Sequence, residues 1–255
     1  MARLAVYSDH AVGAAELAAA GRRAAIESCH LSWSQLSHLF QDARVDPISP
    51  LDARGFVGGM HVAGLEASRP AAESGSAMDS WTDDVYMQMA IAGRLHLSAV
   101  SLSAGGTDAA SRDCLIDGLT RLCALAERMD LSIALRNRIG SALEQIGDFV
   151  RLFARVPSKV LCVDFDPVAF HDACVNPVDA VRAFGSRILA VRAYHHANGQ
   201  LSPIATSSAE SVALIAALRD VVGIDTVLLN ADRCADDLPR ILHDAQWVRG
   251  AGLVS

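Results

Sequence analysis

Leu131-Ser-Ile-Ala-Leu-Arg136-Asn137 and Val160-Leu-Cys-Val-Asp164-Phe165-Asp166-Pro167 are the stretches on which the fold turns. Each is a short, mostly apolar run that ends abruptly in charged or amide side chains. Between them, Ser141–Val156 reads as an amphipathic helix closed by Pro157. An apolar strand, a helix and a second apolar strand make a βαβ unit. Strands without strict polar alternation belong in a parallel sheet covered by helices on its faces.

The rhythm extends both ways. Upstream it predicts strand one at Arg3–Tyr7 and a helix at Gly13–Arg22. Strand two follows at Ala24–Ser28 and strand three at His61–Glu66, with a loop at Ser68–Ser80. A helix at Trp81–Leu95, strand four at Ala99–Ser103 and a long helix at Ala109–Met129 lead into the quoted stretch. Downstream come a helix at Pro177–Phe184, strand seven at Ile188–Val191 and a helix at Ser208–Val222. Strand eight at Thr226–Leu229 and a helix at Asp237–Arg249 complete the series. Eight strands alternating with helices in 255 residues, without a linker long enough to part domains, predict a single (β/α)8 TIM barrel over residues 1–255. The alternative is an open doubly wound sheet. Against it, no GxGxxG follows strand one, and Gly58-Gly59 and Gly105-Gly106 read as turns.

A hydrophobic share of 51% supports a sizeable core and excludes a disordered chain. The formal charge of −7 argues against nucleic acid and anionic membrane as partners. The sequence shows neither a signal peptide nor an uncharged apolar run of about 18 residues. The six cysteines are scattered, so free thiols in the cytoplasm are expected rather than disulfides or a zinc knuckle. The expected partner is a small-molecule substrate, with a homodimer as an open option.

In a barrel of this kind the chemistry sits where strands end and βα loops begin. Those positions hold Asp9 and His10, Glu27 and His30, Glu66, Arg136, Asn137 and Arg138. Asp164 and Asp166, then Arg192, His195 and His196, and finally Asn230 and Asp232 follow the later strands. Trp81 offers an apolar wall for a sugar face, or else a helix-packing residue. Asp83 and Asp84 read as acids in the first turn of their helix.

The second half, from about Leu97 to Gly250, resembles the xylose-isomerase-like family of sugar-phosphate isomerases/epimerases, ketose 3-epimerases and the related endonuclease IV group. Leu131–Asn137 looks like a fifth strand that in the family ends in Glu-Asn. Val163-Asp164-Phe165-Asp166-Pro167 looks like the sixth-strand Asn-Phe-Asp-Pro. Asn176-Pro177-Val178-Asp179-Ala180-Val181 with Arg187-Ile188 resembles the lead into strand seven. Val191-Arg192-Ala193-Tyr194-His195 stands where Val-His-x-x-Asp is usual, and Asn230 stands where Glu is usual.

The resemblance implies a divalent metal held by Glu, Asp, His and Glu. At those positions this chain has Arg136, Asp166, Arg192 and Asn230, with Asp164 as a counterpart of Asp166 if the register shifts by two. Arginine stays protonated and offers no lone pair, so no metal and no other cofactor is expected at that site. Two readings of the arginines stay open. In one, Arg136 and Arg192 pair with Asp164 or Asp166 and plug a dead pocket. In the other, they receive an anionic group through their planar forks, together with Asn137, Asn230, Asp232 and Trp81. Acid/base work would then fall to Asp166, His195 or Glu66, with Glu27 as a further base. The expected activity is that of a metal-independent sugar isomerase/epimerase. The alternatives are a non-catalytic barrel that binds an anionic metabolite or a protein partner, and a lyase or cyclase on the same scaffold.

Overall fold

A computed structural model describes residues 2–8, 13–42, 57–67, 75–197, 200–204, 208–232 and 237–254. Eight parallel strands close into a barrel: β1 (Arg3–Tyr7), β2 (Ser28–Ser32), β3 (His61–Glu66), β4 (Ala99–Ser103), β5 (Ser132–Arg136), β6 (Leu161–Phe165), β7 (Ile188–Ala193) and β10 (Thr226–Asn230). An antiparallel hairpin, β8 (His195–Ala197) with β9 (Gln200–Ser202), grows from the end of β7. The expected barrel is therefore present. No described helix is long and apolar enough to cross a membrane.

Helix starts fix the strand ends beside them. Asp108 caps Ala109–Met129 by accepting from Ser111 N at 3.0 Å. Asp166 caps Pro167–Asp172 by accepting from Ala169 N at 3.1 Å, with proline at the first helical position. The helix Pro177–Phe184 is opened by Asn176 in the same way, with Val178 N at 2.9 Å.

Three expected boundaries are corrected. Strand two lies at Ser28–Ser32, not Ala24–Ser28, because Ala24–Ile26 wind off the helix Ala14–Arg23. Ala25 takes a left-handed φ of 53°, and Ile26 N returns to Gly21 O at 2.9 Å. Glu27 thus stands exposed at the entry of β2, at the end of the barrel away from the chemistry. The helix after β5 is confined to Ile146–Arg155. Ser141 Oγ donates to Arg138 O at 2.7 Å and accepts from Leu143 N at 3.2 Å, which holds a turn in place of helix. The helix before β4 runs Gly75–Arg94, so Asp83 and Asp84 lie beyond its first two turns. Met78 and Trp81, three residues apart, are both buried on its inner face, and that packing overrides the weak propensity of Gly75 and Ser76.

Side chains alternate between the barrel interior and the helix layer. Val6, Val100, Leu102, Leu135, Phe165, Val191 and Leu229 join the outer core beneath the helices. Ala5, Tyr7, Ala63, Ala190 and Leu228 form a separate interior cluster. Barrel interiors are usually filled by bulky branched residues. Here alanine dominates, and the remaining room is taken by charged side chains. A register shift opposite Cys29/His30 places a bulge at Ala63–Gly64. It reverses the alternation, so that Leu65 packs outward while Glu66 turns inward. The N-terminal end is closed by Arg3, whose Nη2 meets both oxygens of Asp225 at 2.8 Å. Ser98 Oγ donates to the same carboxylate at 2.9 Å, and Arg3 Nη1 lies 2.6 Å from His61 Nε2.

Candidate active site

Inward-facing residues of β3, β5, β6 and β7 converge near the C-terminal end of the barrel. Arg192 on β7 is fully buried, as is Asp164 on β6. Arg192 Nε donates to Asp164 Oδ1 at 3.1 Å and Oδ2 at 3.2 Å, and Nη2 donates to Oδ2 at 2.7 Å. This side-on fork is the strong, geometrically specific form of the pair. The guanidinium also lies 4.6 Å from the ring centre of Tyr7. In-register pairing sets Asp164 beside Ala190, and an extra residue in β7 precedes that step, which leaves Arg192 one inward position further along.

Above this buried pair sits a looser layer. Arg192 Nη2 reaches Glu66 Oε2 at 3.3 Å, and Arg136 Nη1 reaches Glu66 Oε1 at 3.4 Å. Arg136 Nη2 donates to Asp166 Oδ2 at 3.2 Å. Tyr194 Oη donates to the same carboxylate, 2.9 and 2.8 Å from its oxygens. Asn137 clasps the main chain of Asp166: Nδ2 donates to its carbonyl and Oδ1 accepts from its N–H, both at 2.8 Å. Asn137 therefore positions Asp166, with both side-chain heavy atoms engaged. Glu66 and Arg136 keep solvent access over 18% and 15% of their side chains, and Tyr194 is half-buried, whereas Asp164, Asp166 and Arg192 are buried.

Electrostatics follow the pairing. Burial, the largest influence, pushes the Asp164 carboxyl up, but the charge and hydrogen bonds of Arg192, joined by Arg136, together hold the group below the usual carboxylate range. Burial opposes the charge on Arg192, and Asp164 with Glu66 keeps it protonated. Burial, and then the neighbouring Asp166, raise the Tyr194 phenol well above its ordinary value. His30 on β2 faces the same charges. Burial dominates there and lowers the imidazole to about 4, so it is neutral. A Cβ on Gly64 would lie 2.7 Å from His30 Nδ1, so the bulge glycine makes room for the ring.

Asn230 and Asp232 form a network at the β1–β10 seam. Asn230 Nδ2 donates to Asp232 Oδ2 at 3.0 Å, and Ser8 Oγ donates to Asp232 Oδ1 at 2.7 Å. Arg240 Nη2 fixes the Asn230 carbonyl at 2.6 Å. His195 is half-buried on the hairpin, in register with Ser202. Trp81 is corrected as a site wall. It is buried in the layer between Gly75–Arg94 and Ala109–Met129, where a Cβ on Gly118 would meet its ring at 3.0 Å. Asp9 and His10 lie outside the described residues, as does the side chain of His196. Tyr194, to which the sequence analysis gave no role, shares a face with Arg192 two residues before it, and that spacing was its signal.

No family model and no curated protein matches the sequence. Solved structures do match in fold. An L-ribulose 3-epimerase aligns with a TM-score of 0.78 and 14% identity, over 99% of this chain and 95% of that one. The IOLI protein with a binding zinc atom aligns at 0.72 and 14%, over 98% and 96%. A xylose isomerase domain protein from Planctomyces limnophilus aligns at 0.73 and 12%, over 99% and 97%. At such identities the likeness supports the (β/α)8 barrel fold alone and leaves the reaction to be argued from this chain's own residues.

Proposed function

We propose that this barrel works on a small carbohydrate-like substrate, in the manner of a sugar isomerase/epimerase, without a divalent metal. One observation carries the reading: a solvent-accessible carboxylate–guanidinium couple, Glu66 with Arg136, stands over a sealed Arg192–Asp164 floor. Isomerisation needs a base to take the proton beside a carbonyl and a cation to steady the enediolate oxygen. Glu66 fills the first role as the accessible carboxylate of the three, and Arg136 fills the second. Asp166, held by Asn137 and Tyr194, orients Arg136.

The donor set does not suit the metal that the fold resemblance implies. Each carboxylate of the cluster is already engaged by a guanidinium, and Arg192 occupies the space between Asp164 and Glu66. Among the described residues, no three His, Cys, Asp or Glu side chains are grouped to hold an ion. A second reading, a barrel that binds a metabolite without turning it over, is favoured by the donations that Asp166 already receives from three groups, Arg136, Ala169 N–H and Tyr194.

The test is solvent deuterium exchange into D-fructose and D-fructose 6-phosphate, followed by NMR with EDTA-treated protein. Exchange that persists in EDTA and disappears in Glu66→Gln supports the enzyme. Binding detected by thermal shift without exchange supports the second reading. Stoichiometric metal in the purified protein, with exchange that depends on it, refutes both forms of the metal-free site.

A further inference from the structure

The helices Ala109–Met129 and Ile146–Arg155 each connect neighbouring parallel strands, so they lie side by side on the barrel and run in the same direction. Each turns a stripe at helical spacing toward the other. On the first these are Ala109, Arg112, Asp113 and Ile116, and on the second Asp148, Arg151, Leu152 and Arg155. The first helix packs closely against Gly75–Arg94 but touches the second only lightly, which leaves a groove between the stripes. Its volume is about 490 Å³, the size of a small-molecule site. Leu115, Leu143 and Leu152 are buried along it and Ile116 is half-buried, so its floor is apolar. Its rim is cationic. Arg151 Nη2 donates to Asp148 Oδ1 at 2.6 Å, and Arg112 lies 4.0 Å from the same oxygen, so two guanidiniums share one carboxylate. Arg155, exposed in the last turn of its helix, has no ion-pair partner among the described residues. With Asp113 counted, three guanidiniums face two carboxylates, a local excess of positive charge in a chain of net charge −7.

We propose that this groove is a second binding site, on the outer wall of the barrel, for a small amphipathic carboxylate whose apolar tail lies on the leucine floor and whose anionic head meets Arg155. The head falls to Arg155 because Asp148 already engages Arg151 and Arg112. A planar guanidinium without a partner is suited to a carboxylate, which it can hold through two N–H groups. The stripe from Ala109 to Ile116 is about 10 Å long at the helical rise, room for an extended tail of about eight carbons. The site makes no use of Glu66 or Arg136 and is independent of the reaction proposed for them.

Octanoate is the ligand for the test, with octanol and octyltrimethylammonium as controls that carry the same tail, and binding is followed by isothermal titration calorimetry. Wild type is expected to bind octanoate with a Kd of about 0.1–1 mM, the scale for a ligand of about ten non-hydrogen atoms. The affinity should fall as added salt screens the exposed head. Octyltrimethylammonium should bind about tenfold more weakly or not at all. Arg155→Gln is expected to weaken octanoate about fivefold to tenfold and to leave octanol unchanged, the scale of one charge-assisted contact. Ala154→Trp fills the groove from its exposed wall and is expected to abolish binding of both. Both substituted positions are exposed, so the variants should keep the wild-type thermal unfolding curve. Octanoate that fails to bind, or binds no better than octanol, overturns the inference. So does an affinity untouched by Arg155→Gln and Ala154→Trp. If binding is lost instead in Arg136→Ala, the anion sits in the barrel mouth, which overturns this inference and leaves the Glu66–Arg136 reading standing. A wild-type dimer that Ala154→Trp splits in sedimentation would make a second copy of the chain the occupant and would also overturn it.

Discussion

Asp164→Asn keeps the shape of the side chain and removes its charge. The partner left behind, Arg192, has no solvent access and donates to that carboxylate through two N–H groups, the Nε–H shared between both oxygens and one on Nη2. Breaking a buried pair by removing one member costs about 3–5 kcal/mol, because a charge is left uncompensated in a low-dielectric interior. The cation–π contact with Tyr7 and the longer contact to Glu66 recover part of this, so the lower half of the range applies. Unfolding entropy for a chain of this length is about 0.5 kcal/mol/K, so the expected loss is about 6–8 °C in Tm. Differential scanning calorimetry at pH 7 measures it. The companion variant Asp164→Leu/Arg192→Met removes both charges and conserves volume. It is expected to lie within about 2 kcal/mol of wild type, on either side. A drop below 2 °C for Asp164→Asn, or a double variant worse than the single, would show that the pair is wetter or more mobile than its geometry implies.

Further expectations concern the residues around it. His30 titrates near 4 when folded and near 6.5 when unfolded, so the unfolded chain binds more protons in between and stability falls as pH drops from 7. About 2 kcal/mol should be lost by pH 5 in urea titrations, and His30→Phe should flatten that slope if it folds. Gly64→Ala presses a methyl against the His30 ring and should cost about 1–3 kcal/mol, much of it recovered in a Gly64→Ala/His30→Ala double variant. Burial pushes the Cys29 thiol up to about 12, whereas Cys174 is exposed. Brief iodoacetamide treatment followed by peptide mass spectrometry should find Cys174 alkylated and Cys29 intact. Equal labelling would mean that the core behind β2 opens readily.

The barrel was legible because parallel strands buried on both faces advertise themselves as apolar runs. β3 and β4 fell where those runs lie. β2 did not, because the run Ala24-Ala25-Ile26 is equally apolar yet serves as a helix terminus, with a non-glycine residue at positive φ. Within the site, the pairing of arginines with Asp164 and Asp166 was one of two readings open from the residues alone. Which arginine takes which aspartate depends on the extra residue in β7, and a single register step of that kind leaves no mark in composition. The inward turn of Glu66 depends likewise on the Ala63–Gly64 bulge. Strict alternation from His61 would have sent it outward. Trp81 was open between a ligand wall and helix packing because an aromatic on an amphipathic helix looks the same in either setting, and it proves to be buried in the helix layer.

The Arg3–Asp225–Ser98–His61 knot at the opposite end has a consequence for how this scaffold tolerates change. It stitches β1, β3 and the approaches to β4 and β10 together across the base, far from Glu66 and Arg136. Rigidity at the base and reactivity at the rim are thereby supplied by different residues. Loops at the rim can be lengthened, shortened or recharged while the base keeps the staves aligned. Directed evolution toward new ligands should draw its libraries from the rim and leave those four side chains alone.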